Sequence, residues 1–298
     1  MNYRSFGLLG LVLLLPMASW AQRWKDVSSL NEMNKVYYVQ KPNVKACKEG
    51  KLSPILLQST VNYINQIRAL HGLLPVVLDE NASEESQKAA LMLAANKKVD
   101  HHPPTSWKCY SKEGANGCAT SNLFAGAGFW GMARAVEDWM IDESVSNLGH
   151  RRWLLTPSLK SVGVGFVSDS LGTGAIIKVM KTAETYSAQE LNITPKMFVA
   201  CPFEKYPSYL FKENWLLSFT VPIMEGVNLD KAKITVTGNN QRMEILDKEI
   251  DEVLYGGGPT LMWKVKGLVP SQRYEVKIDK VQINGKPQSY SYWFELVP

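Results

Sequence analysis

The chain has four histidines, and their surroundings decide what chemistry is open to it. His150 stands in Gly149-His150-Arg151-Arg152-Trp153, behind a glycine and ahead of two cations. Two adjacent positive charges disfavour a protonated ring, which leaves the neutral imidazole that a metal ion or a general base requires. His101 and His102 precede Pro103-Pro104, Ser121-Asn122-Leu123 follows a Gly-rich stretch, and Asp142 comes three residues after Trp139. Each also has a plainer role. The HHPP stretch makes an exposed turn without any function, and an aspartate near a helix end is commonly solvated. Ser121 suits a loop hydrogen bond, and Arg151-Arg152 suits the surface. His71, beside Gly72 at the end of an apolar period, reads as structural. No G-x-S-x-G elbow, H-E-x-x-H helix or G-x-x-x-x-G-K-[ST] loop occurs, so the simplest hydrolase and nucleotide-binding assignments fall away.

Regular elements must position these groups. Ser53-Pro54 opens a helix, serine as cap and proline at the first helical position. Leu57, Val61, Ile64 and Ile67 then recur at helical spacing until Gly72. Pro75 to Leu78 is a short extended piece. A second helix begins near Asp79 or Asn81 and runs through an Ala-rich stretch to the HHPP turn, because a residue before proline avoids helical angles. Residues 107 to 131 read as a long tied-down loop, and 132 to 142 return to helix. Val162, Val164 and Phe166 alternate with glycines, and with Ala175 to Met180 they predict an antiparallel hairpin. Helices first and a hairpin last predict an α+β layered domain.

The second half changes character. Residues 215–221, 232–237, 260–265, 274–278 and 290–296 read as strands, with Asn239-Asn240 and Asn284-Gly285 as turns between them. Short strands so punctuated predict an antiparallel β-sandwich. Leu268 to Tyr274 resembles the tyrosine-corner turn of fibronectin III and immunoglobulin-like domains.

Composition sets the compartment and excludes some partners. Met1 to Arg4 carry one charge, Phe6 to Met17 are apolar, and Ser19-Trp20-Ala21 offers small residues for cleavage. That is a signal peptide over 1–21, cleaved near Ala21, too short to remain as a membrane span. No other apolar run approaches spanning length, so the mature chain is expected to be secreted or periplasmic with no transmembrane segment. Residues 22–50 read as an extended lead-in, 51–198 as the first domain and 199–298 as the second. The charge of +5 is spread out, with no basic stripe interleaved with aromatics, which argues against nucleic acid. The even set Cys47, Cys109, Cys118 and Cys201 predicts disulfides in an exported chain. Three pairings are possible; Cys109 and Cys118 close a short Gly-rich loop and make the favoured pair, with which Cys47 would join Cys201.

Taken in order, VNYINQIRALHGLLPVVLDENAS, HHPP, SNL, AVEDWMID, GHRRWLLTP and KSVGVGF resemble the CAP superfamily, also called the SCP domain, of cysteine-rich secretory, antigen 5 and pathogenesis-related proteins. Gly-His-Arg-Arg-Trp resembles the bacterial branch. The resemblance implies a three-layer α-β-α sandwich with a central cleft where two histidines and two acids can hold a divalent metal. His150 matches the second histidine, and His101, or failing it His102, the first. Asp142 stands at the first acid position one methylene short, a difference of about 1.5 Å. Ser121 replaces the second acid, with Asn122 beside it. Two imidazoles and one carboxylate, His101, His150 and Asp142, would make a three-ligand zinc site with an open position. The function so implied is a non-catalytic binding or interaction module whose cleft takes a divalent metal or lipid. Its partners would be a lipid, an envelope polymer or a protein. The alternative is a zinc-dependent, protease-like hydrolase using metal-bound water.

Overall fold

The structure, a computed structural model, describes residues 29–127, 130–143 and 145–298. The signal peptide expected over 1–21 lies outside the described residues.

The first half runs α1 (Leu30–Val36), β1 (Tyr38–Gln40), β2 (Lys51–Leu52), α2 (Pro54–Leu70), β3 (Val77–Leu78), α3 (Glu80–Asn96), α4 (Lys112–Ala119), β4 (Ser121–Gly126), α5 (Met132–Ile141), α6 (Gly149–Leu154), β5 (Ser161–Ser168) and β6 (Thr173–Lys178). Ser53 caps α2 through its side chain on the Leu56 N–H, with Pro54 behind it, and Asp79 caps α3 on the Ala82 N–H. Both starts match the sequence reading. The second helix stops earlier than the HHPP turn, at Asn96, because Lys97 takes the left-handed conformation as its cap.

Four strands form one sheet in the order β3-β5-β6-β4, with β3 parallel to β5 and the rest antiparallel. Alternation along β5 builds two faces. Val162, Val164 and Phe166 join Ile64 of α2 and Val136 and Trp139 of α5 in one core. Val167 joins Ala89, Ala90 and Leu93 of α3 in another. Helices therefore cover both faces, giving the three-layer α-β-α sandwich. On the α3 side the approach is close enough that two glycines are obligatory. A Cβ on Gly165 would lie 2.1 Å from the Ser86 carbonyl oxygen, and one on Gly174 2.2 Å from that of Ala90.

After α7 (Ala188–Leu191) come β7 (Val199–Cys201), β8 (Glu204–Pro207), β9 (Leu217–Thr220), β10 (Val227–Asn228), β11 (Lys233–Gly238), β12 (Gln241–Arg242), β13 (Ile245–Asp251), β14 (Thr260–Val265), β15 (Arg273–Ile283) and β16 (Lys286–Val297). They form a sheet of order β12-β11-β15-β16-β8, with β10 also on β15, and a second of order β13-β14-β9-β7. All pairs are antiparallel except β8 with β16. Val236, Ile278 and Phe294 of one sheet share a buried core with Phe219, Leu261 and Trp263 of the other, as a β-sandwich requires. The Tyr274 hydroxyl accepts from the Val269 N–H at 2.9 Å, the bond expected of the tyrosine-corner turn.

Three readings of the sequence are corrected. The lead-in is not extended from residue 29 onward: it folds as α1, β1 and a 3-10 turn, burying Met33 and Tyr38 in the core. The stretch read as a loop contains α4 and β4; Ser111 caps α4 on the Gly114 N–H. That helix also changes the disulfide. It turns Cys118 inward against α3, fully buried and free, while Cys109 bonds Cys47 instead. Cys201 is likewise a buried free thiol.

Candidate functional site

The Gly-His-Arg-Arg segment forms α6, entered through Leu148 in the left-handed region at φ 52°. The Asn147 side-chain oxygen accepts from the Gly149 N–H at 3.2 Å and closes that turn. At the end of α5, Asp142 is also left-handed, at φ 56°, with its N–H bonded to the Asp138 carbonyl. These two turns carry the Asp142 carboxylate to the His150 ring.

The pair is closely specified. His150 Nδ1 lies 2.8 Å from Asp142 Oδ1, and Asp142 Oδ2 accepts from the Arg151 N–H at 3.2 Å. The carboxylate is 1% exposed and the imidazole 22%. A carboxylate on Nδ1 fixes the proton there and leaves Nε2 as the nitrogen for a further partner. Asn122 donates through Nδ2 to the His150 carbonyl at 3.0 Å, and Trp215 Nε1 to the Asp142 carbonyl at 3.2 Å.

The two arginines are not a surface pair. Both are buried, and they turn away from the imidazole into shells of backbone oxygen. Arg151 donates to the carbonyls of Met140 (2.6 Å), Ile141 (2.8 Å) and Leu216 (2.8 Å). It thereby satisfies the last carbonyls of α5, which lack helical partners, and ties them to the second half of the chain. Arg152 reaches the carbonyls of Asn147, Tyr255 and Val253, and Asp251 Oδ2 at 2.8 Å. Burial lowers the Arg152 pKa, opposed by the Asp251 carboxylate. A third buried arginine, Arg68, holds the far end of α6, donating to the carbonyls of Leu154 (2.8 Å) and Thr156 (2.9 Å). Burial lowers its pKa to about 10.

The remaining predicted residues separate. His101 is exposed, with Nδ1 bonded to the Cys118 carbonyl at 2.8 Å. His102 is exposed, and its backbone N–H bonds Asp100. The Ser121 hydroxyl is buried without a hydrogen-bond partner. Asp142, plausible as a solvated acid, is instead buried. Among the described residues, no group of three His, Cys, Asp or Glu is placed to hold a metal ion. His71 is structural as read: its Nδ1 bonds the Ala200 carbonyl at 2.8 Å, and burial lowers its pKa to about 4.

Sequence reading missed Arg68, Trp215 and Asp251. Arg68 had a signal, since it lies four residues after Ile64 and seven after Val61 on the apolar stripe of α2. Trp215 and Asp251 had none, because their partners are distant in the chain.

The first half of the chain is thus an α-β-α sandwich in which the Gly-His-Arg-Arg helix packs against a buried acid. Residues 61–182 match the family described as CAP, the cysteine-rich secretory protein family, so the chain contains a CAP domain over this segment. Among solved structures it is similar to an extracellular protein containing a SCP domain from Bacillus anthracis str. Ames, at 19% identity and a TM-score of 0.31. That match covers 43% of this chain and 44% of the other, so less than half of the relative's length is spanned. The CAP domain of Enterococcal PrgA is 15% identical with a TM-score of 0.30, covering 60% of this chain and 90% of that one. No curated protein matches the sequence.

The Asp142 geometry has a direct consequence. Asp142→Ala removes a charged partner from His150 and Arg151 and puts an apolar residue at positive φ. It should destabilise the protein by about 1–3 kcal/mol in urea denaturation. Asp142→Asn tolerates the left-handed turn and still accepts one bond, so its loss should be well under half of that.

Proposed function

We propose that the protein is exported and acts as a non-catalytic CAP binding module. In this reading 51–198 form the CAP domain and 199–298 an immunoglobulin-like or fibronectin III-like sandwich. The supporting observation is that Asp142 is spent: buried, with both oxygens engaged by His150 and Arg151. The second family acid position holds Ser121, so neither of the two family acid positions offers a free carboxylate as a general base. The Cys47–Cys109 disulfide suits an oxidising compartment. No helix among the described residues is long and apolar enough to cross a membrane. The ligand would be a lipid, an envelope polymer or a protein. Mass spectrometry of lipid copurified with the full-length protein, and its retention on isolated envelope, should reveal such a ligand. Protein that carries no lipid and is not retained on envelope would sink the reading.

One observation favours the metal reading. In both His101 and His150, Nδ1 is bonded to an oxygen, the arrangement that orients Nε2 toward a metal. A zinc ion held by His101, Asp142 and His150 would supply a Lewis acid, but Asp142 lies on the Nδ1 side of the His150 ring and would first have to release both His150 and Arg151. Metal analysis of wild type and His150→Ala decides it. Zinc in the wild type, absent from the variant, would support this reading. Protein that carries no zinc, and whose melting temperature zinc does not raise, would eliminate it.

A further inference from the structure

A groove of about 830 Å³ is lined by residues of α2 and α3 and of β1 and β2. None of His101, His102, Ser121, Asn122, Asp142 or His150 lines it. Its accessible apolar lining includes Val39, Leu57 and Leu78, with Leu52 and Val164 buried beneath. Along one wall stand Glu80 and Glu84, both exposed and neither in an ion pair among the described residues. Glu80, in the first turn of α3, also complements the helix dipole. Glu84 lies one turn further on and has no such role.

Charge along the rim is not uniform. Glu49 and Lys51 both line it, and on α3 Glu80 and Glu84 stand with Lys88, which is drawn toward Glu113 at 3.9 Å. The wall of α3 carries an excess of acid. Glu80 and Glu84 are four residues apart, a rise of about 6 Å along a helix. Same-side residues of an extended chain repeat every two residues, roughly 6.6 Å. Alternate basic side chains of one extended segment can thus meet both carboxylates, while the intervening side chains face the apolar lining.

We propose that this groove binds an extended polypeptide segment in which basic and apolar residues alternate. The site is independent of the His150 pair, so its failure would leave the reading of that pair untouched.

Fluorescence anisotropy of a labelled Lys-Val-Lys-Val-Lys peptide with the full-length protein tests it. Glu-Val-Glu-Val-Glu and Lys-Ser-Lys-Ser-Lys serve as controls. The basic–apolar peptide should bind, the acidic one should not, and the serine one should bind more weakly. Glu80→Lys with Glu84→Lys should weaken binding by at least roughly tenfold, added salt should weaken it too, and Arg134→Ala, outside the groove, should not. Glu84→Gln, which leaves the first turn of α3 intact, should give a smaller loss in the same direction. Equal binding of the acidic and basic peptides, no binding of either, or an unchanged affinity in both glutamate variants would overturn the proposal.

Discussion

Arg151→Ala is expected to destabilise the full-length protein by about 3–5 kcal/mol, a large fraction of the stability of an ordinary domain. The side chain is fully buried and donates to three carbonyls drawn from two parts of the chain. Removing it leaves those acceptors dry, at about 1–3 kcal/mol for each one water does not reach, and opens a cavity the size of a long side chain. Relief of a buried charge offsets part of this. Arg151→Met separates the terms, because it fills the volume and donates nothing; its loss should remain above about 2 kcal/mol. Arg151→Lys keeps the charge but not the planar fork that reaches three oxygens, and should fall between methionine and wild type. Arg134→Ala supplies the reference, since Arg134 is half-exposed in helical ion pairs with Glu137 and Asp138, worth under about 1 kcal/mol. Guanidinium denaturation followed by tryptophan fluorescence measures all four. An Arg151→Ala midpoint no lower than that of Arg134→Ala would show that Arg151 does not hold the halves together.

That prediction could not have been made from the sequence, and the reason is physical. Helix starts are local: a serine, a proline and an apolar period lie within one short window, so Ser53-Pro54 and Asp79 announced their helices. The hairpin of β5 and β6 and strands β9, β11, β14, β15 and β16 were legible for the same reason, with alternation on either side of a turn, whereas β7, β8, β10, β12 and β13 were not read. His150 was found through its neighbours, and its acid Asp142 lies close in sequence. The arginine shells draw on Leu216, Asp251 and Tyr255, far along the chain. No window contains both ends of such a bond, and two arginines side by side look like surface charge. The glycines of β5 were visible as alternation, but that they admit α3 was not. The sequence placed Asp142 and His150 in one cleft, but neither their direct bond nor the arginine shells that rigidify it were legible.

The cysteines failed for a different reason, which leads to the second large effect. Short spacing favours Cys109–Cys118 only if the residues between them are loop. Once Ser111 caps a helix there, Cys118 is carried into the α3 interface, and Cys109, at φ 58°, faces the turn ending at Cys47. The Cys47–Cys109 bond spans a separation of 62 residues. Loop-closure entropy for that length gives about 4 kcal/mol of stabilisation, all of it exerted on the unfolded chain. Cys47→Ser, or reduction, should therefore lower the melting temperature by roughly 8–16 °C. Two packing contacts survive the break: buried Val44, whose N–H bonds the Asp169 side chain at 3.0 Å, and the paired backbones of Asn43 and Lys48. They should keep the folded state native-like and confine the effect to stability. Cys118→Ser and Cys201→Ser close no loop and should leave the cross-link intact in peptide mass mapping. The test of pairing is the thiol count under native conditions. Cys109→Ser should expose one new reactive thiol, at Cys47, and leave Cys118 as unreactive as before, its burial also pushing its pKa up to about 12. A newly reactive Cys118 in that variant would restore the short-loop pairing and refute the observed one.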